Sequence, residues 1–184
     1  MESYVRFDDI GALMTSDYSL GIAWEANSDP VVAISKDGYV YMASLYFDYY
    51  FGNANGLYVA AAPLSSFGFT PGQIRPVVAN FDESTNLFED KPWLAVDNSG
   101  TTNNVYVSWS HFYGNLDYIA FSRSTDHGVT WSPLKRISPA SQDGAVQGSQ
   151  VAVGPNGEVY AVYEVFYVGG YRRHFLSKST DGGV

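Results

Sequence analysis

The strongest constraint on the fold is a repeat. Residues 30–41, 92–106 and 150–160 share one pattern: a short apolar strand, a glycine turn, then a strand rich in Val, Tyr and Trp. Their common alanines, Ala33, Ala95 and Ala152, lie 62 and then 57 residues apart. A repeat of this period marks an array of similar structural units, each packed on the next. Every unit continues with a third strand, at 57–62, 117–122 and 173–177, whose alternation fits a half-buried strand. Fourth strands follow at 73–79 and 134–138, and the polar stretches 80–86 and 139–144 lead into the next unit.

Four antiparallel strands per unit, without helical periodicity, describe the blade of a propeller. The expected fold is therefore all-β: an incomplete β-propeller of about three four-stranded antiparallel blades. The expected blades are 29–80, 81–138 and 139–184, the last stopping inside its third turn motif. Residues 1–28 would supply the end strand or strands of a preceding blade, at 4–7 and 20–25. Composition agrees. Aromatic residues make up 16% of the chain, alongside 18 Gly and 8 Pro, which suits short strands joined by turns.

Ten basic against nineteen acidic residues give a net charge of −9. That charge opposes phosphate backbones and anionic bilayers, so neither nucleic acid nor a membrane is an expected partner. With no cysteine, disulfides and thiolate metal sites are excluded. No His cluster at metal-ligand spacing, phosphate-binding glycine loop or Gly-x-Ser-x-Gly elbow is present, so no metal or cofactor is expected. The turns at Asp37-Gly38 and Asp97-Asn98-Ser99-Gly100 carry too few oxygen ligands for a calcium loop. The first residues lack a signal-peptide apolar stretch, and the last six restart a turn motif and stop within it. The chain reads as a piece of a longer extracellular or periplasmic protein.

That turn motif is Ser124-Thr125-Asp126-His127-Gly128-Val129-Thr130-Trp131. Asp126 can accept hydrogen bonds from backbone N–H groups of the turn, and Gly128 supplies a positive φ. Thr130 can bond locally, and Trp131 places a large ring over the hairpin. The pattern Ser124-x-Asp126-x-Gly128-x-Thr130-Trp131 resembles the Asp-box, or BNR repeat, of sialidase-like propellers. A second copy runs through Ser179, Asp181 and Gly183, and a degraded first copy has Ser66, Gly68 and Thr70 at the matching positions. The phrases at 91–97 and 105–109 also resemble secreted bacterial sialidase-like proteins. The resemblance spans roughly residues 29–184 and implies a ring of six to eight blades. It makes Asp126 a structural brace, at the end of the propeller away from the ligand.

The opposite end carries the loops between second and third strands and the crossovers between blades. Aromatic rings and carboxylates gather there, a combination that suits sugars. Candidate ligand-binding residues are Asp48, Tyr49, Asp90, Trp93, His111, Tyr113, Tyr167 and Arg172. The same rings could instead pack blade on blade. A sialidase, by the resemblance, needs three arginines that clamp a carboxylate, a Tyr nucleophile activated by Glu, and an Asp acid/base. None of the six arginines lies in an Arg-Ile-Pro motif, and Tyr163 and Glu164, adjacent on a strand, point to opposite faces. No catalytic residue carries over. Two readings stand: part of a sialidase-class glycoside hydrolase, or a non-catalytic propeller module that binds carbohydrate or protein. A glycan or glycoprotein is the expected ligand in both, and open sheet edges would allow self-association.

Overall fold

Strand periodicity becomes three successive sheets in the computed structural model, which describes residues 16–17, 22–23, 26–48, 54–66, 73–82, 84–100, 102–166 and 171–184. The first sheet holds β3 (Ala26–Ile34), β4 (Tyr39–Phe47), β5 (Asn55–Pro63) and β6 (Ile74–Asn80) in that order. The second holds β7 (Leu87–Val96), β8 (Val105–Tyr113), β9 (Tyr118–Ser124) and β10 (Lys135–Arg136). The third holds β11 (Val146–Val153), β12 (Val159–Phe166) and β13 (Arg172–Ser179). All pairings are antiparallel between sequential neighbours. Each sheet is one blade, and β7 packs against both β3 and β11, so the first strands stand side by side along the inner side of an arc.

Upstream, β1 (Ser16–Asp17) pairs with β2 (Ile22–Ala23). The second falls within the strand expected at 20–25, the first was not expected, and residues 4–7 lie outside the described set. Two short 3-10 turns, Leu64–Ser66 and Ala140–Gln142, interrupt the loops. The fourth strand of the second blade is shorter than its apolar pattern implies. Pro133 and Pro139 flank it and withhold backbone donors. His111 and Tyr113, expected in the loop between second and third strands, are strand residues instead, because β8 runs to Tyr113.

The blades are held together face to face. Tyr41, Leu45, Leu57 and Val59 of the first blade pack with Leu94, Val105 and Trp109 of the second. Tyr106 and Phe121 then pack with Val151 and Val159 of the third. A strand buried on both faces has no reason to alternate polar and apolar residues, and β8 is buried from Val105 to His111. Asn55, fully buried, joins the first two blades at the backbone. Its amide donates to Leu87 O at 2.8 Å and its carbonyl accepts from Glu89 N at 2.9 Å.

Each motif turn leans on the blade before it. A Cβ on Gly128 would lie 3.7 Å from Ala61 and 3.9 Å from Val59, both on β5, and Gly183 sits directly on the Phe121 ring of β9. Inside the turn, the Ser124 hydroxyl donates to Asp126 Oδ1 at 2.7 Å and accepts from Gly128 N at 2.8 Å. Asp126 also accepts from Thr130 N at 2.9 Å and from the Thr130 hydroxyl. Ser179 repeats the serine's bonds, donating to Asp181 Oδ1 and accepting from Gly183 N at 2.8 Å, and Asp181 accepts from Val184 N at 3.2 Å. His127, at φ 59°, stacks on Tyr39 with centroids 4.1 Å apart and meets the Tyr41 hydroxyl at 2.8 Å. In the first copy Gly68 and Thr70 lie outside the described residues.

Burial alone would raise the Asp126 carboxyl, but the bonds from Thr130 and Ser124 outweigh it and hold the group below its usual 3.8. A carboxylate depressed in the folded state stabilises above its unfolded pKa, and that stability is lost as pH falls through the folded value. Asp126→Asn should therefore lower the urea midpoint at pH 7. It should also flatten the decline that wild type shows below about pH 4. Unfolding curves collected from pH 7 to pH 2 check both expectations.

Candidate ligand-binding site

The first strand of every blade bulges at the same place. Ser28 faces Leu45 and Val31 faces Ala43, Asp90 faces Ser110 and Trp93 faces Ser108, and Gln147 faces Glu164 and Gln150 faces Val162. In each case one extra residue sits on the inner strand. The residue taking the left-handed conformation is Asp29 (φ 53°), Lys91 (φ 52°) or Gly148 (φ 66°). All three stand four positions before the shared alanine of their repeat. Glycine adopts that conformation freely and Asp tolerates it, whereas Lys91 is held there against its preference.

Because the inner strands are neighbours, the three bulges converge. Residues 29–31, 91–93 and 148–150 line one cavity of about 300 Å³. Trp93 lines it with 38% of its surface exposed, although it is flanked by the buried Pro92 and Leu94. Asp90, just outside, holds Lys91 Nζ at 3.4 Å and receives Gln147 Nε2 at 3.5 Å. The Ser149 hydroxyl donates to Ser108 Oγ at 3.0 Å, and Gly148 N donates to Ser110 Oγ at 3.0 Å, so the third bulge is pinned to β8 of the second blade. An open indole face beside a carboxylate, an ammonium and an amide can stack on a flat apolar ring face while exchanging hydrogen bonds with hydroxyls.

Of the residues expected here from sequence, Trp93 lines the cavity and Asp90 adjoins it. Asp48 lies at the end of β4, where its N–H donates to Ala54 O at 3.0 Å. Tyr113 is exposed at the far end of β8. Arg172 lies at the start of β13, paired with Glu164 at 3.3 Å and set over the Phe166 ring. Tyr49 and Tyr167 lie outside the described residues. Asp29 and Lys91 were expected in the crossovers at this end without being singled out as ligand-binding residues, and Gly148 was missed. Their common offset in the repeat was the available signal, most visible in the Asp29-Pro30 and Lys91-Pro92 pairs.

His111 is buried and does not line the bulge cavity. Its Nδ1 lies 2.9 Å from Oε1 of Glu89, a carboxylate with no exposed surface whose other oxygen accepts from Trp109 Nε1. The Tyr118 ring lies tilted against the imidazole, with centroids 4.4 Å apart, and Arg136 covers Tyr118 while forking onto Asp143. Burial, with the Asp143 charge adding to it, raises the nearby Asp117 carboxyl, and His111 opposes that rise. The network ties β7, β8, β9 and β10 together just before the bulge, and so positions the strand that presents Asp90, Lys91 and Trp93.

A larger cavity, about 550 Å³, lies between the second and third blades and is lined by Phe121, Ile137, Val159, Ala161 and Gly183 among others. The corresponding groove between the first and second blades is filled by Trp131, packed on the core around Tyr41 and Val59. The larger cavity also has Lys135, Lys178 and Asp181 in its wall, but it lies beside the second motif turn rather than at the bulges. Among the described residues no group of three His, Asp or Glu side chains could hold a metal ion, and no helix is long and apolar enough to cross a membrane.

No family model matches the chain, and no curated protein sequence does. Solved structures do. A Hadza microbial sialidase, Hz136, superimposes with a TM-score of 0.66 at 14% identity, over 86% of this chain and 36% of that one. A protein of unknown function from Dyadobacter fermentans gives 0.60 at 16% identity, over 89% and 50%. A xylan β-1,4-xylosidase from Bacillus halodurans gives 0.53 at 17% identity, over 85% and 32%. The chain thus spans between a third and a half of the length of these proteins. At such identities the likeness concerns fold alone, and the fold is that of a sialidase-like propeller.

The buried network gives a direct expectation. Glu89→Ala would leave the Trp109 indole N–H and His111 without their partner in the core. Removing one member of a buried pair costs about 3–5 kcal/mol. Urea unfolding followed by indole fluorescence should show a loss of that order.

Proposed function

We propose that this arc of blades recognises glycans in the cavity formed by the three inner-strand bulges. Trp93 serves as the stacking platform, and Asp90, Lys91 and Gln147 serve as the polar rim. The observation that carries the reading is the repetition of one bulge in all three blades. It brings an exposed indole and paired polar groups to one concavity on the inner side of the arc. The Asp126 and Asp181 turns, spent on bracing neighbouring blades, act in this reading as structural struts. The net charge of −9 keeps nucleic acid and anionic lipid out of the partner set. Extracellular or periplasmic glycan is the natural target.

A second reading, hydrolysis by the longer protein, is favoured by the likeness to a sialidase, a xylosidase and an endo-arabinase from Bacteroides thetaiotaomicron. Within this chain, none of the five described arginines lines the cavity. Recognition by these residues therefore comes first, and any turnover would draw on groups elsewhere on the ring.

Calorimetric titration with a panel of oligosaccharides tests the proposal. Trp93→Ala should weaken the best binder at least tenfold, equivalent to about 1.4 kcal/mol. Asp126→Asn, measured at pH 7 where it remains folded, should bind as wild type does. Equal affinity for wild type and Trp93→Ala would refute the assignment.

A further inference from the structure

We infer that the bulge cavity selects neutral sugars and rejects acidic ones, an inference that rests on the glycan-binding reading above. One carboxylate, Asp29, lines the cavity at the first bulge, and a second, Asp90, adjoins it through its contact with Lys91. Lys91 is the one cation among its described lining residues, and Asp90 already holds its ammonium at 3.4 Å. Gln147 also turns its amide toward Asp90 at 3.5 Å. A sugar carboxylate arriving here would meet two like charges. It would also have to draw Lys91 away from its partner.

Recognition of a carboxylate is strongest when guanidinium forks match it bidentately. None of the five described arginines lines the cavity, and four have partners elsewhere: Arg75 with Ile74 O at 2.9 Å, Arg136 with Asp143, Arg172 with Glu164, and Arg123 with Gly182 O at 3.1 Å. What the cavity offers is the chemistry of a neutral pyranose or furanose. The indole of Trp93 takes the apolar ring face, and Asp29, Asp90 and Gln150 meet the hydroxyls. The selection lies in the bulges themselves. Left-handed backbone at residues 29 and 91 forms the bulges in which these charges sit.

The test compares lactose, xylobiose and arabinobiose with 3′-sialyllactose by calorimetric titration at low and at physiological salt. Neutral disaccharides should bind, with affinity little changed by salt, and sialyllactose should bind at least tenfold more weakly than lactose. Asp29→Asn combined with Asp90→Asn should narrow that gap by relieving the repulsion, and circular dichroism would verify that the variant is folded. Sialyllactose binding as well as or better than lactose, and lost in Lys91→Gln, would overturn the selectivity while leaving glycan recognition intact. Absence of binding by every sugar would overturn both.

Discussion

A blade of this chain has apolar residues on both faces of its sheet, and only another blade can cover them. That requirement organises the molecule. Trp109, Tyr106, Leu57 and Val59 are buried because sheets lie against one another. Each such side chain contributes roughly 1.5–3 kcal/mol. Val32, Ile34 and Leu176, on the first and last of the three described blades, are exposed. Hydrogen bonds then set the spacing that hydrophobic contact leaves loose. Asn55 joins β5 to the backbone of β7, Lys36 N donates to Asn98 Oδ1 at 2.8 Å, and Gly183 rests on Phe121.

Side-by-side inner strands have a consequence for function. A single bulge would only bend a strand; three at the same level, on adjacent strands, open a shared concavity. The non-glycine Lys91 keeps a left-handed backbone there, an unfavourable choice that persists because the surrounding structure determines it. The Glu89, His111 and Trp109 network lies immediately upstream and supplies that determination on β7. The buried network and the lining of the bulge cavity therefore meet in a five-residue stretch, from Glu89 to Trp93.

Much of the architecture was legible in the sequence, since repeat period and strand alternation follow from burial, which acts locally. The pairing of β3 through β13 follows the expected order, and the turn at Ser124 has the hydrogen bonds that its residues imply. The bulge cavity proposed as the binding site was less legible. Trp93 and Asp90 stood out as chemistry-bearing residues, but Asp48, Tyr113 and Arg172 looked equivalent to them. They differ only in where their strands end in space. His111 resembled a loop residue because its partner, Glu89, lies 22 positions away and meets it only across the β7–β8 ladder. The bulges left a faint trace, an Asp-Pro and a Lys-Pro at one offset, whose meaning requires knowing that the inner strands are neighbours.

Assigned indole N–H signals during titration with a neutral disaccharide put the central claim to the most direct test. The account predicts that the Trp93 signal shifts with ligand concentration, together with the backbone amides of Lys91 and Gly148. The buried Trp109 and the half-buried, inter-blade Trp131 should stay in place. Saturable binding that leaves Trp93 unmoved, or that moves Trp131 instead, would contradict it.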